Sequence, residues 1–245
     1  MNTIAAYTKF EILGAIRIPM VFVALLFLPT VGMLLFVVPA LGDDPTAAAL
    51  STGSMCLFTV LIICSAQYGL GIADARMKPW GGYVRTLPGG PLPKMISMIA
   101  MSALFVVLGT IPLIAIAAIG TKATASVGGV LLGLGGLVLA IVPFSLLMLA
   151  IGYAVNPYLV SVITNISPII LAYVGGLFTD PHSTSGFVTH VAPFIPTRGS
   201  AELVWAAIGD YSPQPLSMVM LVVWTVVLGF LAYRAYRSDE GKRYR

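Results

Sequence analysis

The sequence predicts an all-α integral membrane protein: six transmembrane helices, an N-terminal interfacial helix, and a re-entrant helical pair before the last span. Three observations carry this. The 245 residues are 58% hydrophobic and only 9% charged, with a mean hydropathy of +0.98, whereas a soluble domain must keep a polar surface toward water. Apolar residues gather in runs of about 20, the length that crosses a hydrocarbon core. Basic residues concentrate in alternate connections instead of spreading along the chain.

The first element is amphipathic. Residues 3–17, TIAAYTKFEILGAIR, are too short and polar to span, but Phe10, Ile12, Leu13 and Ile16 share a broad face opposite Thr8 and Glu11. An interfacial helix over 1–18, along the inner leaflet with Lys9 snorkelling, fits this pattern. Pro19 then turns the chain into the first span. Spans are expected at 19–41, 49–71, 95–119, 128–150, 159–178 and 215–236. Lipid supplies no hydrogen bonds to the backbone, which makes helices the default. The stretch VLLGLGGLVLAIVPFSLLMLAI (130–151) lacks the alternation of a barrel strand. Pro29, Pro112, Pro143 and Pro168 are read as tolerated kinks, and Cys56 and Cys64, inside the second span, as small apolar packing residues. Cleavage after VPALGDD (38–44) is not expected, because the apolar run before it exceeds the roughly 7–15 residues of a signal h-region.

Charge sets the orientation. Lys9 and Arg17, then Arg76, Lys78, Arg85 and Lys94, then Arg234, Arg237, Lys242, Arg243 and Arg245 fall in one set of connections. The alternate set holds only Lys122 and Arg198, together with Asp43, Asp44, Asp180, Glu202 and Asp210. Cytoplasmic loops retain Lys and Arg, so both termini and the 73–94 loop are expected in the cytoplasm. The same asymmetry accounts for the formal net charge of +4, and no nucleic-acid partner is called for.

Little catalytic chemistry is written into the chain. None of the expected spans has a central ionisable residue, which argues against a proton-coupled transporter or an intramembrane protease. His182 and His190 lie in an outer connection near Asp180 without HExxH-type spacing, so neither a metal site nor a catalytic residue is assigned. The phosphate-cradling GxxxxGK[ST] pattern is also missing, Gly120-Thr121-Lys122 being the nearest approach. Active transport would therefore draw its energy from another polypeptide. Gln67, Thr164 and Asn165 are the polar candidates for a pathway lining, with interhelical hydrogen bonding as the alternative role.

Two connections stand out. Between the fifth and sixth spans, GFVTHVAPFI and AELVWAAI are apolar yet too short to cross. Residues 186–208 are read as two short helices dipping into the outer leaflet, hinged at Pro193, Pro196 and Gly199. The other connection, ADARMKPWGGYVRTLPGGPLPK (73–94), combines four basic residues with prolines that limit chain freedom and with Trp80 and Tyr83. Aromatics and arginines on a stiff loop are typical of interface hot spots, although a positive-inside loop against anionic headgroups would share the composition.

On these features the whole chain resembles the permease subunits of ATP-binding-cassette exporters of the ABC-2 type. Arg76, Trp80, Arg85 and Pro88 fall at the intervals of that family's cytoplasmic coupling segment. Asp74 stands one position before the usual acidic residue, and Pro79 replaces a glycine. GGLFTDP (175–181) and VAPFIPT (191–197) resemble the end of its fifth span and the start of its re-entrant segment. The resemblance implies a single transmembrane domain over 1–245, in the cytoplasmic membrane of a prokaryote. It further implies coupling to an ATPase subunit through Asp74, Arg76, Trp80, Tyr83, Arg85 and Pro88, and pairing with a second permease copy or paralogue. ATP and Mg would bind the partner ATPase, with no cofactor in this chain. The cargo would be a hydrophobic or amphipathic drug, antibiotic, peptide or lipid. A polysaccharide or lipid-linked-polymer exporter would need an aromatic-rich path that the spans lack, and a non-transporting scaffold would have no use for the docking loop.

Overall fold

The computed structural model describes residues 19–78, 92–182, 186–209 and 211–243. The expected interfacial helix and Trp80, Tyr83, Arg85 and Pro88 of the coupling loop lie outside the described residues. Within them the chain is helical, with no strand. Helix α1 (Pro19–Gly32) runs through a π-helical segment (Met33–Val37) into α2 (Val38–Leu41). Helix α3 (Pro45–Cys64) continues through a second π-helical segment (Ser65–Leu70) into α4 (Gly71–Met77). Then come α5 (Leu92–Gly120), α6 (Val127–Ala154), α7 (Pro157–Val174), the short α8 (Phe187–Val191) with a 3-10 turn (Ala192–Phe194), α9 (Pro196–Ile208) and α10 (Pro215–Arg243).

Local chemistry places the ends. Asp44 caps α3, its carboxylate accepting from the backbone N–H groups of Thr46 and Ala47 at 2.9 and 3.1 Å, with Pro45 pre-set at the first helical position. Ser126 and Asn156 cap α6 and α7 in the same way. Helix α7 ends at Val174, earlier than the expected 178, because Gly176 adopts φ of 77°, a conformation that costs other residues about 1–2 kcal/mol. Its N–H donates to Tyr173 and that of Leu177 to Ala172, the paired bonds of a Schellman motif. The helical run from Pro45, by contrast, continues to Met77, past the expected end at 71. The first part of the expected 73–94 loop is therefore helix.

Among the described residues, five helical runs are long and apolar enough to cross a membrane: Pro45–Met77, Ile96–Gly120, Val127–Ala154, Pro157–Val174 and Pro215–Asp239. Leu26–Leu41 is a shorter apolar helix. Their outward faces carry large apolar side chains such as Phe27, Phe36, Ile111, Leu132, Val226 and Phe230, as a multi-pass membrane protein presents to hydrocarbon. Helix α3 is the central pillar, buried almost all round from Thr52 to Leu61. Its hydroxyls are satisfied locally, Thr52 and Thr59 donating to the carbonyls four residues earlier at 2.7 and 3.1 Å. Helix α10 packs along α6, and α9 is wedged among α3, α6 and α10.

Candidate functional site

The start of the 73–94 connection is tied into the bundle. Arg76 lies on α4 with a side chain only 15% exposed. Its Nη1 donates to the carbonyls of Gly152 and Val155 at 2.6 and 2.7 Å, and its Nε stands 3.1 Å from Asp239 Oδ1. The two carbonyls belong to the C-terminal end of α6, where the last turn leaves acceptors unpaired and the helix dipole favours a cation. Arg76 thus caps α6 and holds α10 through the buried Asp239. Its guanidinium is directed into the bundle. Asp74 is placed differently: it is exposed and pairs with Lys78 at 2.6 Å, one turn along.

The pathway candidates do not converge. Gln67 sits in the second π-helical segment, a geometry that recurs at functional sites. Its Oε1 accepts from Ser102 Oγ of α5 at 3.2 Å, while its Nε2 is buried with no hydrogen-bond partner among the described residues. Thr164 of α7 is buried, its methyl pressed onto Gly69, where no side chain would fit; its hydroxyl donates to Val160 at 2.7 Å. Asn165, on the exposed face of α7, donates to Ser161 at 2.7 Å. Gln67 and Thr164 therefore serve two different helix contacts, to α5 and α7, and Asn165 faces outward.

The connection between α7 and α10 contains a charged centre absent from the sequence reading. Pro193 lies in the 3-10 turn and Pro196 opens α9, so these two stand at the break between the short helices. Gly199 is inside α9, where an added Cβ would come within 2.6 Å of the Ser217 carbonyl; its smallness lets α9 and α10 touch. Arg198 and Glu202, one turn apart, are 5% and 0% exposed. Arg198 Nε donates to Glu202 Oε1 at 2.8 Å, and Nη2 donates to the Pro181 carbonyl and to Tyr211 Oη at 3.1 and 2.9 Å. Glu202 also accepts from Ser217 Oγ at 3.1 Å and from the backbone N–H of Gln214 at 2.8 Å. The guanidinium lies over the Trp205 ring, 4.8 Å from its centre, and the indole donates to Leu50 and Ser54 of α3. One ion pair thus links the end of α7, helix α9, the approach to α10 and the central pillar.

Partial burial, the larger cause, and nearby Glu202 hold the Tyr211 phenol above its usual value, against the opposing pull of Arg198. The phenol therefore stays protonated, free to donate to Glu202 Oε1 at 3.3 Å while accepting from Arg198. At the same end of the molecule, Lys122 and Asp43 form an exposed pair at 2.7 Å, each keeping the other charged through that hydrogen bond.

No family model, curated protein or solved structure matches the chain. The contacts above are what bears on its role. The charge pattern places Arg198 and Glu202 among the loop charges and assigns Asp239 no role. The signal that marks Arg198 and Glu202 is the apolar stretch AELVWAAI (201–208) with its tryptophan, which contains Glu202, begins three residues after Arg198, and needs burial.

Proposed function

We propose that this chain is the permease subunit of an ATP-driven exporter of the ABC-2 type, with six spans and both termini in the cytoplasm of a prokaryote. It works beside a second permease copy or paralogue and moves a hydrophobic or amphipathic substrate outward. A separate ATPase subunit binds ATP and Mg and hydrolyses the nucleotide. Residues 186–208 form the re-entrant pair on the outer side.

The Arg76 clamp carries this reading. A loop that transmits force must be fastened at its root to the elements it moves, and Arg76 fastens the beginning of 73–94 to α6 and α10 together. A force on the loop would reach two span-length helices at once. Asp74 and Lys78, exposed beside it, remain available at the cytoplasmic surface. Trp80, Tyr83 and Arg85 then supply the aromatic and cationic anchors that meet the ATPase.

Co-expression with candidate ATPase subunits, followed by pull-down and transport assays, tests the proposal. Truncating a central aromatic or arginine typically costs about 2 kcal/mol or more, close to a thirtyfold loss of association. Trp80→Ala and Arg85→Glu are expected to weaken ATPase recruitment or to uncouple hydrolysis from transport, and Arg85→Lys to be impaired as well. If Trp80→Ala equals the parent and only net charge matters, 73–94 is a lipid-facing loop. If no ATPase co-purifies under any condition, the scaffold reading replaces the exporter.

A further inference from the structure

A cavity of about 210 Å³ opens between α5 and α6, with α3 and α9 as its floor. Small residues line part of it, Gly53 and Cys56 on α3, Ala117 and Ala118 on α5 and Gly133 on α6, and aliphatic side chains such as Ile114, Leu134 and Ile208 complete the wall. The neighbouring outward positions carry Ile111, Ile119, Leu131 and Leu132, all exposed, so the hollow is cut into an otherwise bulky apolar surface. Two hydroxyls reach it, and both donate to carbonyls of their own helices: Thr52 to Ala48 at 2.7 Å and Thr110 to Val107 at 2.9 Å. Among the described residues no charged side chain lines it, and both hydroxyls are already taken up by their own helices.

Those walls select hydrocarbon. Water needs two or more polar partners, and apolar cavities of this size stay dry, while a void forfeits the dispersion contacts of every atom around it. The lining runs from Ala49 to Cys56 along α3 and from Val130 to Leu137 along α6, about 10 Å at the helical rise. Taking a methylene as close to a water's share of liquid, about 30 Å³, the volume holds roughly seven such groups in a row. The lining on α3, α5 and α6 lies in helices long and apolar enough to cross a membrane, while Ala123 and Ala125 belong to the loop joining α5 and α6, so in a bilayer the groove would run from acyl chain to the level of that loop.

Charge at the rim narrows the source. Lys122 immediately precedes Ala123, which lines the cavity, and it pairs with Asp43 where both side chains are more than half exposed. An exposed pair holds its partners weakly, and its two charges match the phosphate and ammonium of a zwitterionic headgroup. We propose that this groove binds one acyl chain of a zwitterionic phospholipid, with Lys122 at the phosphate.

Trp205 provides the reporter. It is fully buried, and its Cδ1 is 3.5 Å from where a Cβ on Gly53, a lining residue, would stand, so bromine seated in the groove comes close to the indole. Protein carrying Trp80→Phe and Trp224→Phe is reconstituted in vesicles with increasing fractions of phosphatidylcholine brominated along its chains. Trp205 fluorescence is expected to fall with that fraction, and Ala117→Leu or Ala118→Phe, which fill the groove, to restore it. Two filling variants are made so that a misfolded one, detected by its elution profile, leaves the other. Lys122→Gln is expected to shift quenching to higher bromolipid fractions and to leave quenching by a brominated alkane unchanged. Absence of quenching in the parent overturns the proposal. Equal quenching in parent and filled variants also overturns it. Unchanged phospholipid quenching in Lys122→Gln removes the headgroup assignment. The assay contains no ATPase, so its outcome is separate from that of the exporter reading.

Discussion

Arg198 and Glu202 sit one helical turn apart in a place where neither meets water. Desolvating two charges costs several kcal/mol per ion, and removing one partner strands the other. Arg198→Met is therefore expected to destabilise the protein by about 3–5 kcal/mol, read as a lowered Tm in detergent, with Arg198→Met/Glu202→Leu recovering much of the loss. A double variant no better than the single would show that Glu202 is held by its other donors. Tyr211 adds a pH signature. Its folded-state pKa is raised, so the stability it contributes is complete below the unfolded value near 10.0 and is lost as pH rises through the folded value. Tyr211→Phe should flatten that alkaline decline in Tm, and an unchanged profile would place the titration elsewhere. This centre was hidden in the sequence for a physical reason: Arg and Glu four apart are the usual pair of a solvated helix face, and only the partners brought in from Pro181, Gln214 and Ser217 make the site buried.

Among the elements, the end of the second expected span that leads into residue 73 is the most informative. The sequence marks a loop from 73 because charge and glycine appear there, yet the helix continues until Met77, two residues before Pro79. Asp74 and Arg76 consequently project from different sides of α4, one to the surface and one into the bundle. On the proposed exporter reading, Arg76→Ala is expected to leave ATPase recruitment intact while reducing the transport gained per ATP hydrolysed, because the root of the loop is released from α6 and α10. Joint loss of recruitment and transport would instead make Arg76 part of the docking surface. The break at Pro193 and Pro196 was legible, since proline restricts the residues before it and lacks an N–H. Gly199 was read as a hinge because a lone glycine suggests freedom. Its partner is the α10 backbone, a contact that depends on which helix folds back, and no local pattern records that.

For the molecule as a whole, hydropathy marked the five helices long and apolar enough to cross a membrane, because lipid leaves the backbone few alternatives, while the first expected span contains the shorter apolar helix Leu26–Leu41 among the described residues. Hydropathy said less about which of them lies innermost, since every span is apolar on all sides; the central place of α3 comes from packing. Sidedness remains an expectation of the charge asymmetry and is directly measurable. A thiol reagent unable to cross the membrane should label a cysteine placed at Ser185 in intact cells and leave one at Gly89 untouched. The reverse pattern would sink the proposed orientation.

The π-helical segment Ser65–Leu70 has an evolutionary consequence. Such a bulge amounts to one residue more than a regular helix needs, so the chain holds a spare position between the central pillar and the Arg76 clamp. Deleting Ala66 should let the helix close into regular α geometry while the pillar above and Arg76 below keep their neighbours. Deleting Leu57, in the fully α-helical part, would rotate everything on one side of it by about 100°. Expression and elution profile of the two deletions compare them directly: the first is expected to yield monodisperse protein and the second to aggregate. Equal failure would mean that the extra residue is needed where it is, with Gln67 as the first candidate for the reason.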